Sequence, residues 1–304
     1  MSPRTYRRIT LVALIALGFI VVTGGAVRLT GSGLGCPHWP TCDNDLVRVG
    51  PSDWHKTIES VNRTITGIVS IAVIAAVLGS LIRRPRRRDL VWLSIGLVAG
   101  VIGQIVLGGL VVLFDLYPPL VMGHFIVSML LLADATVLFH RAGLPDGPGH
   151  DEPVVPTEVR TMSTLLVVTA AVVIFLGTVV TATGPHPGSN GDQVVDRLPF
   201  SLHRVAQLHG IAVMLFLVMT VVTAVSLVRN GAPAAVVRRA EALLVLIVLQ
   251  AAVGYTQYFT GVPVLLVGIH IAGASMVWVA ALWLRLGMTA PVPSAAVDRE
   301  LIAA

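Results

Sequence analysis

Residues 90–113 read LVWLSIGLVAGVIGQIVLGGLVVL, an apolar run with no charged side chain. At about 1.5 Å of rise per residue, such a run crosses the roughly 30 Å hydrocarbon core of a bilayer as one helix. It also carries a marker. Gln104 is followed after four residues by Gly108 and after twenty by His124, and the same spacing returns in Gln250, Gly254 and His270. Val21-Val22-Thr23-Gly24 is echoed by Val179-Val180-Thr181-Ala182-Thr183-Gly184. An offset of 146 residues separates His124 from His270, so the chain reads as two copies of a smaller unit.

Working outward, seven further apolar runs lie at about 9–27, 62–82, 119–139, 162–183, 205–228, 241–259 and 263–285. Of 304 residues, 55% are hydrophobic and 12% charged, with a mean hydropathy of +0.85. Soluble domains carry about 25% charged residues, which excludes an ordinary soluble enzyme, and runs this apolar exclude a disordered chain. The expected fold is an all-α integral membrane protein of eight transmembrane helices. Each half has an even number of spans, so the two four-helix bundles are parallel and related by a pseudo-two-fold along the membrane normal. The expected units are a first half at 1–140, a linker at 141–160, a second half at 161–290 and a tail at 291–304. No cleaved signal peptide is read, because the first run is long and ends in Gly24-Gly25-Ala26-Val27-Arg28.

The net charge is +5, and every basic residue except Lys56 is an arginine. These arginines flank the apolar runs, so membrane lipid is an expected partner and nucleic acid is not. Arg83, Arg84, Arg86, Arg87 and Arg88 follow the second run, Arg141 and Arg160 the fourth, and Arg229, Arg238 and Arg239 the sixth. The positive-inside rule places these connections and both termini in the cytoplasm, in a chain of the cell's inner (plasma) membrane. The long connections at 28–61 and 184–204 then lie outside. Loops of such length in a compact chain are commonly functional.

His124, His209 and His270 each fall a few residues inside a run that travels from outside to inside. They would lie about 6–11 Å below the outer edge of their helices. Ionisable groups at such depth face the bundle interior and mark function. Imidazoles facing one another across a bundle suit axial ligation of a haem iron. The repeat offset carries His209 back to the neighbourhood of Asn62 and carries His203 back to a point before the second run, so His203 is expected in the external loop. The second half thus offers two ligands, His209 and His270, where the first offers His124 opposite an asparagine. A bis-His iron is saturated and suits electron transfer, whereas an open position admits a substrate.

Glu59 precedes Asn62 by three residues and shares its helical face. A carboxylate at the mouth of a span can stabilise developing positive charge or move protons, or simply complement the helix dipole. His55 lies one turn before it, as a further candidate ligand or proton carrier. Cys36 and Cys42 are the chain's two cysteines, and the outer compartment permits a disulfide between them, structural or redox-active. Arg28 and Arg63, near the outer ends of spans, could pair with haem propionates or snorkel to the interface.

The stretch Thr23-Gly-Gly-Ala-Val-Arg-Leu-Thr-Gly-Ser-Gly-Leu-Gly-Cys-Pro-His-Trp-Pro-Thr-Cys42 resembles the first-loop signature of the haem A synthases. Ile58-Glu-Ser-Val-Asn-Arg63 is similar to that family's Glu-x-x-His-Arg element, with Asn62 standing in place of the histidine. Gly123-His124, Ile269-His270 and Thr183-Gly-Pro-His186 resemble further family elements, and the likeness runs through the whole chain. It implies oxidation of the C8 methyl of haem O to a formyl group, by two hydroxylations and loss of water, giving haem A for cytochrome oxidase of the aa3 kind. It implies a resident haem b on His209 and His270, substrate haem O near His124 and Glu59, a catalytic Glu59 and a Cys36–Cys42 disulfide. Haem O synthase and an electron donor are the expected partners, and whether the chain self-associates is left open by its sequence. Rival readings are a di-haem b cytochrome exchanging electrons with quinone, which calls for four histidine ligands, and a haem carrier that releases haem unchanged.

Overall fold

The computed structural model describes residues 1–36, 39, 54–146, 149–189 and 194–293. Eight long helices follow one another: α1 Pro3–Leu29, α2 Trp54–Ile82, α3 Arg88–Leu113, α4 Pro118–Ala142, α5 Thr157–Thr183, α6 Leu202–Arg229, α7 Ala234–Phe259 and α8 Val264–Leu286. Prolines mark their entrances. Pro3 and Pro118 open α1 and α4, and Pro156, Pro233 and Pro263 precede α5, α7 and α8. Proline's missing N–H is harmless there, because first-turn amides have no intrahelical acceptor.

Seven of the helices are long and apolar enough to cross a membrane, which makes this a multi-pass membrane protein. The exception, α7, opens on Arg238, Arg239 and Glu241, yet at 26 residues it matches the rest in length. Several helices begin earlier than their apolar runs, α2 at residue 54 rather than 62 and α7 at 234 rather than 241. Their polar first turns are helical but fall outside the hydrophobic stretch. His203, expected in the external loop, is the second residue of α6 for the same reason.

In the first half α1 packs on α2 and α4, and α3 packs on α2 and α4; in the second, α5 packs on α6 and α8, and α7 packs on α6 and α8. Thus α2 lies diagonally across from α4, and α6 from α8. The halves meet through α1, α4, α5 and α8. Between them the Trp278 indole N–H donates to the Met129 carbonyl at 2.9 Å, a buried bond. Apolar side chains on the outer faces, among them Ile71, Trp92, Ile102 and Phe259, are exposed, as lipid contact requires.

One element was not expected. A short antiparallel pair joins β1 Gly149–Pro153, in the linker, to β2 Thr289–Pro293, after α8. The same side of the molecule holds the ends of α2 and α4. The N-terminal ammonium donates to the Ile82 carbonyl at 3.1 Å, and the fully buried Arg83 reaches Asp146 at 2.6 Å. Arg83 also donates to the Pro85 carbonyl. Arg83→Met should therefore leave Asp146 with only its longer Arg87 contact at 3.8 Å and destabilise the fold by about 3 kcal/mol, read as a lower melting temperature in detergent. An unchanged melting temperature would show that the ion pair is dispensable.

Candidate functional site

The three histidines sit at one depth. His124 is the seventh residue of α4, His209 the eighth of α6 and His270 the seventh of α8. Asn62 is the ninth residue of α2, and its side-chain oxygen is buried.

Each imidazole is edged against a glycine of an adjacent helix. A Cβ added to Gly108 of α3 would come within 3.3 Å of His124 Cε1, one on Gly177 of α5 within 3.3 Å of His209 Cε1, and one on Gly254 of α7 within 3.1 Å of His270 Cε1. Even a methyl group there would be tighter than ordinary van der Waals contact, so the ring would have to give by a few tenths of an ångström. The Nδ1 atoms of all three rings are buried and lack a hydrogen-bond partner. For His209 the Val173 carbonyl approaches without reaching hydrogen-bond geometry. Buried nitrogens left unpaired are costly, and this points to chemistry at the rings' other edge.

Across the α6–α8 diagonal, the His209 and His270 ring centroids are 6.4 Å apart and their planes meet at 71°. A metal bonded at about 2 Å to one nitrogen of each ring would separate the centroids by about 6 Å. The pair is thus spaced for one iron between two imidazoles. In the first half the Asn62 Oδ1 is itself buried and unpaired, on the helix diagonal to His124.

The repeated glutamines hold the histidine helices. Gln104 Nε2 donates to the His124 carbonyl at 3.0 Å, and Gln250 Nε2 donates to the His270 carbonyl at 2.7 Å. Gln104 also bonds the Ser128 hydroxyl, whose counterpart in the second half is Ala274. The repeat visible in sequence is therefore a helix clamp beside each imidazole.

Above the first bundle, Glu59 is buried with both oxygens occupied. The Cys36 backbone N–H donates to one at 2.7 Å, and Arg63 pairs with the other at 2.5 Å. Gly35 lets the loop lie against the first turn of α2, where a Cβ would collide with the His55 backbone at 2.7 Å. His55 Nδ1 bonds the Ser32 hydroxyl at 3.1 Å, and Trp39 lies against Gly109, beside Gly108. Cys36 is buried and its sulfur is not free; Cys42 lies outside the described residues.

Arg28 turns away from the first bundle. Its guanidinium donates to the carbonyls of Thr181 and His186, each at 3.0 Å, tying α1 to the outer end of α5. His186 in turn bonds the Val262 carbonyl at 2.8 Å, and the Gly33 N–H reaches the Gly188 carbonyl at 2.8 Å. Beside this junction a cleft of about 590 Å³ opens over the second bundle, lined by Thr183, Gly184, Arg197, Leu202, Tyr258 and Gly261 among others. Burial pushes the Arg197 guanidinium below its ordinary pKa. The sequence reading missed Gly177, Arg197 and Tyr258. Gly177 could have been found by asking which residue of α5 meets His209.

A family model described as COX15-CtaA, cytochrome oxidase assembly protein, matches residues 7–282. The chain belongs to this family. Among curated proteins it is similar to the heme A synthase of Listeria welshimeri, at 32% identity over 130 residues, covering 42% of this chain and 43% of the relative. The heme A synthase of Exiguobacterium sibiricum matches at 33% over 122 residues, 39% of this chain and 40% of the relative. That of Geobacillus kaustophilus matches at 31% over 115 residues, 36% and 35%. The matched stretches thus span about two fifths or less of these relatives' lengths.

The glycine contacts generate a test within the family frame. Gly254→Val should displace the His270 ring, whereas Gly103→Val, at a glycine with open space around it, should not. Cross-peaks of ring-labelled histidine, followed by nuclear magnetic resonance in detergent, should move in the first variant alone. Equal behaviour of the two variants would dismiss the glycine seat.

Proposed function

We propose that the chain is a haem A synthase, oxidising the C8 methyl of haem O to the formyl group of haem A for an aa3-type cytochrome oxidase. The observation that carries this reading is the inequality of the two diagonals. The second bundle sets two imidazoles 6.4 Å apart, and the first sets His124 across from Asn62. A di-haem cytochrome that only passes electrons needs both diagonals filled with histidine, and Asn62 disfavours it. Family membership and the names of the relatives support the same choice.

In this reading His209 and His270 hold a resident haem b, and the unpaired Nδ1 atoms and glycine seats fit that group. When bound, the haem supplies one-electron chemistry. The protein's own residues orient and shield it. Gln250 and Gly254 fix the His270 helix, and Gly177 seats His209. In the first bundle His124 is the protein ligand to the substrate haem. Asn62 opposite leaves that face of the substrate uncapped by a second imidazole, and His55, already bonded to Ser32, is not needed there. Glu59, clamped by Cys36 N–H and Arg63, is the catalytic carboxylate. Its orientation is fixed at the mouth of the site, where it stabilises positive charge developing on the substrate and accepts the protons released. Arg63 therefore serves Glu59 before any propionate.

Cys36 and Cys42 form a disulfide that holds the loop whose backbone reaches Glu59. Both termini and the β1–β2 pair face the cytoplasm, all eight helices span the inner membrane as two related bundles, and the haem sites lie in the outer half of the bilayer. Haem O synthase upstream and an electron-transfer partner complete the expected assembly.

Expression beside a haem O synthase tests the activity. Chromatography of extracted haem should show haem A, and haem O alone from a folded, haem-loaded chain rejects the reading. Glu59→Gln should keep resident haem b while lowering haem A output at least about 100-fold. Normal output would reduce Glu59 to a loop anchor. His209→Ala or His270→Ala should each deplete haem b in the purified protein by visible absorbance, and undiminished haem in both would reject the pairing.

A further inference from the structure

Arg28, on α1, and Arg197, in the connection before α6, both lie at the outer mouth of the second bundle: Arg28 donates to the Thr181 and His186 carbonyls, and the neighbouring Thr183, Pro185 and Pro187 line the same cleft as Arg197. Neither pairs with a carboxylate among the described residues. Arg28 is pinned by the Thr181 and His186 carbonyls. Arg197 lines the 590 Å³ cleft with Leu202 and Tyr258. Two guanidinium groups brought together without a counter-anion are a site for one, and their fork geometry suits carboxylates.

The cleft is stacked on the imidazole pair. Thr181 lies one turn beyond Gly177, the seat of His209, and Tyr258 lies one turn beyond Gly254, the seat of His270. Leu202 is seven residues, about 10 Å, outward of His209 on α6. A haem held by the two rings would bring two carboxylates that such a cleft could receive. Tyr258, whose hydroxyl bonds His203 at 2.8 Å, closes the rim.

We propose that Arg28 and Arg197 form a carboxylate clamp for the two propionates of the haem held by His209 and His270. This rests on the second bundle holding haem, and it assigns Arg28 to the resident group rather than to the substrate in the first bundle. Arg197 is then a positioning residue that also sets potential, because a cation beside the propionates favours the reduced, less positive iron. Arg28 carries a second consequence: a residue of the first half completes the site of the second.

The test is a spectroelectrochemical titration of the purified, haem-loaded chain. Arg197→Gln should lower the midpoint potential of the second-bundle haem or cut its occupancy several-fold, while Arg197→Lys stays close to the parent. Arg28→Gln should act in the same direction. Added succinate should leave the parent's midpoint unmoved, since the clamp is already filled by propionates. Unchanged midpoint and haem content in both Gln variants overturns the clamp, and a midpoint that follows succinate reassigns the cleft to free dicarboxylates and overturns it too. Absence of haem from a folded parent chain with both histidines intact instead strikes the underlying reading.

Discussion

Each of the three imidazoles inside the bundles lies against a neighbouring helix at a residue that carries no side chain. Gly108, Gly177 and Gly254 are those residues for His124, His209 and His270, and much of the molecule follows from the contact. The contact is steric, so it fixes the height of each ring and the face it presents. Gln104 and Gln250 then set the axial register of the same helix pairs through the histidine carbonyls. In a hydrocarbon surround, an amide has few other partners, which gives these two bonds more weight than they would hold on a soluble surface. With the Cε1 and Nδ1 edge of each ring turned to its glycine, the opposite edge is what the fold holds available for chemistry.

The two halves share this framework and differ where it matters. The second presents paired rings under a cleft bordered by Arg197. The first presents one ring, an amide, and a buried carboxylate bound to the outer loop. Duplication gave each half a histidine seated against a glycine and a glutamine bonded to that histidine's carbonyl. Divergence at the position of Asn62 and His209 leaves an imidazole pair in one half and a single imidazole facing an amide in the other.

Much of this was readable in advance. Apolar run length gives the helices, because a spanning helix must bury all its backbone polar groups within itself. The Gln-Gly-His spacing gives the repeat, because a clamp and a seat both require fixed registers on neighbouring helices. Other features leave no such trace. Gly177 sits on α5 outside the repeated triplet, and a glycine acquires meaning only once its neighbour is known. Arg197 lies in an irregular connection, where no period links a residue to its contacts. The polar first turns of α2, α6 and α7 continue helices past their apolar runs, and so hid the placement of His203. The strands β1 and β2 are five residues each, and their pairing is separated by more than a hundred residues of chain.

That last pairing bears on how the protein is made. β2 follows α8, so it leaves the ribosome after every helix has been synthesised, and β1 has no partner until then. The first bundle can insert and close on its own helices well before that moment. The linker is pinned to the second bundle only at the end, when 289–293 meets 149–153. Assembly therefore has a final latch, set at the end of the molecule away from the three histidines, and it can close only after the last helix has been made.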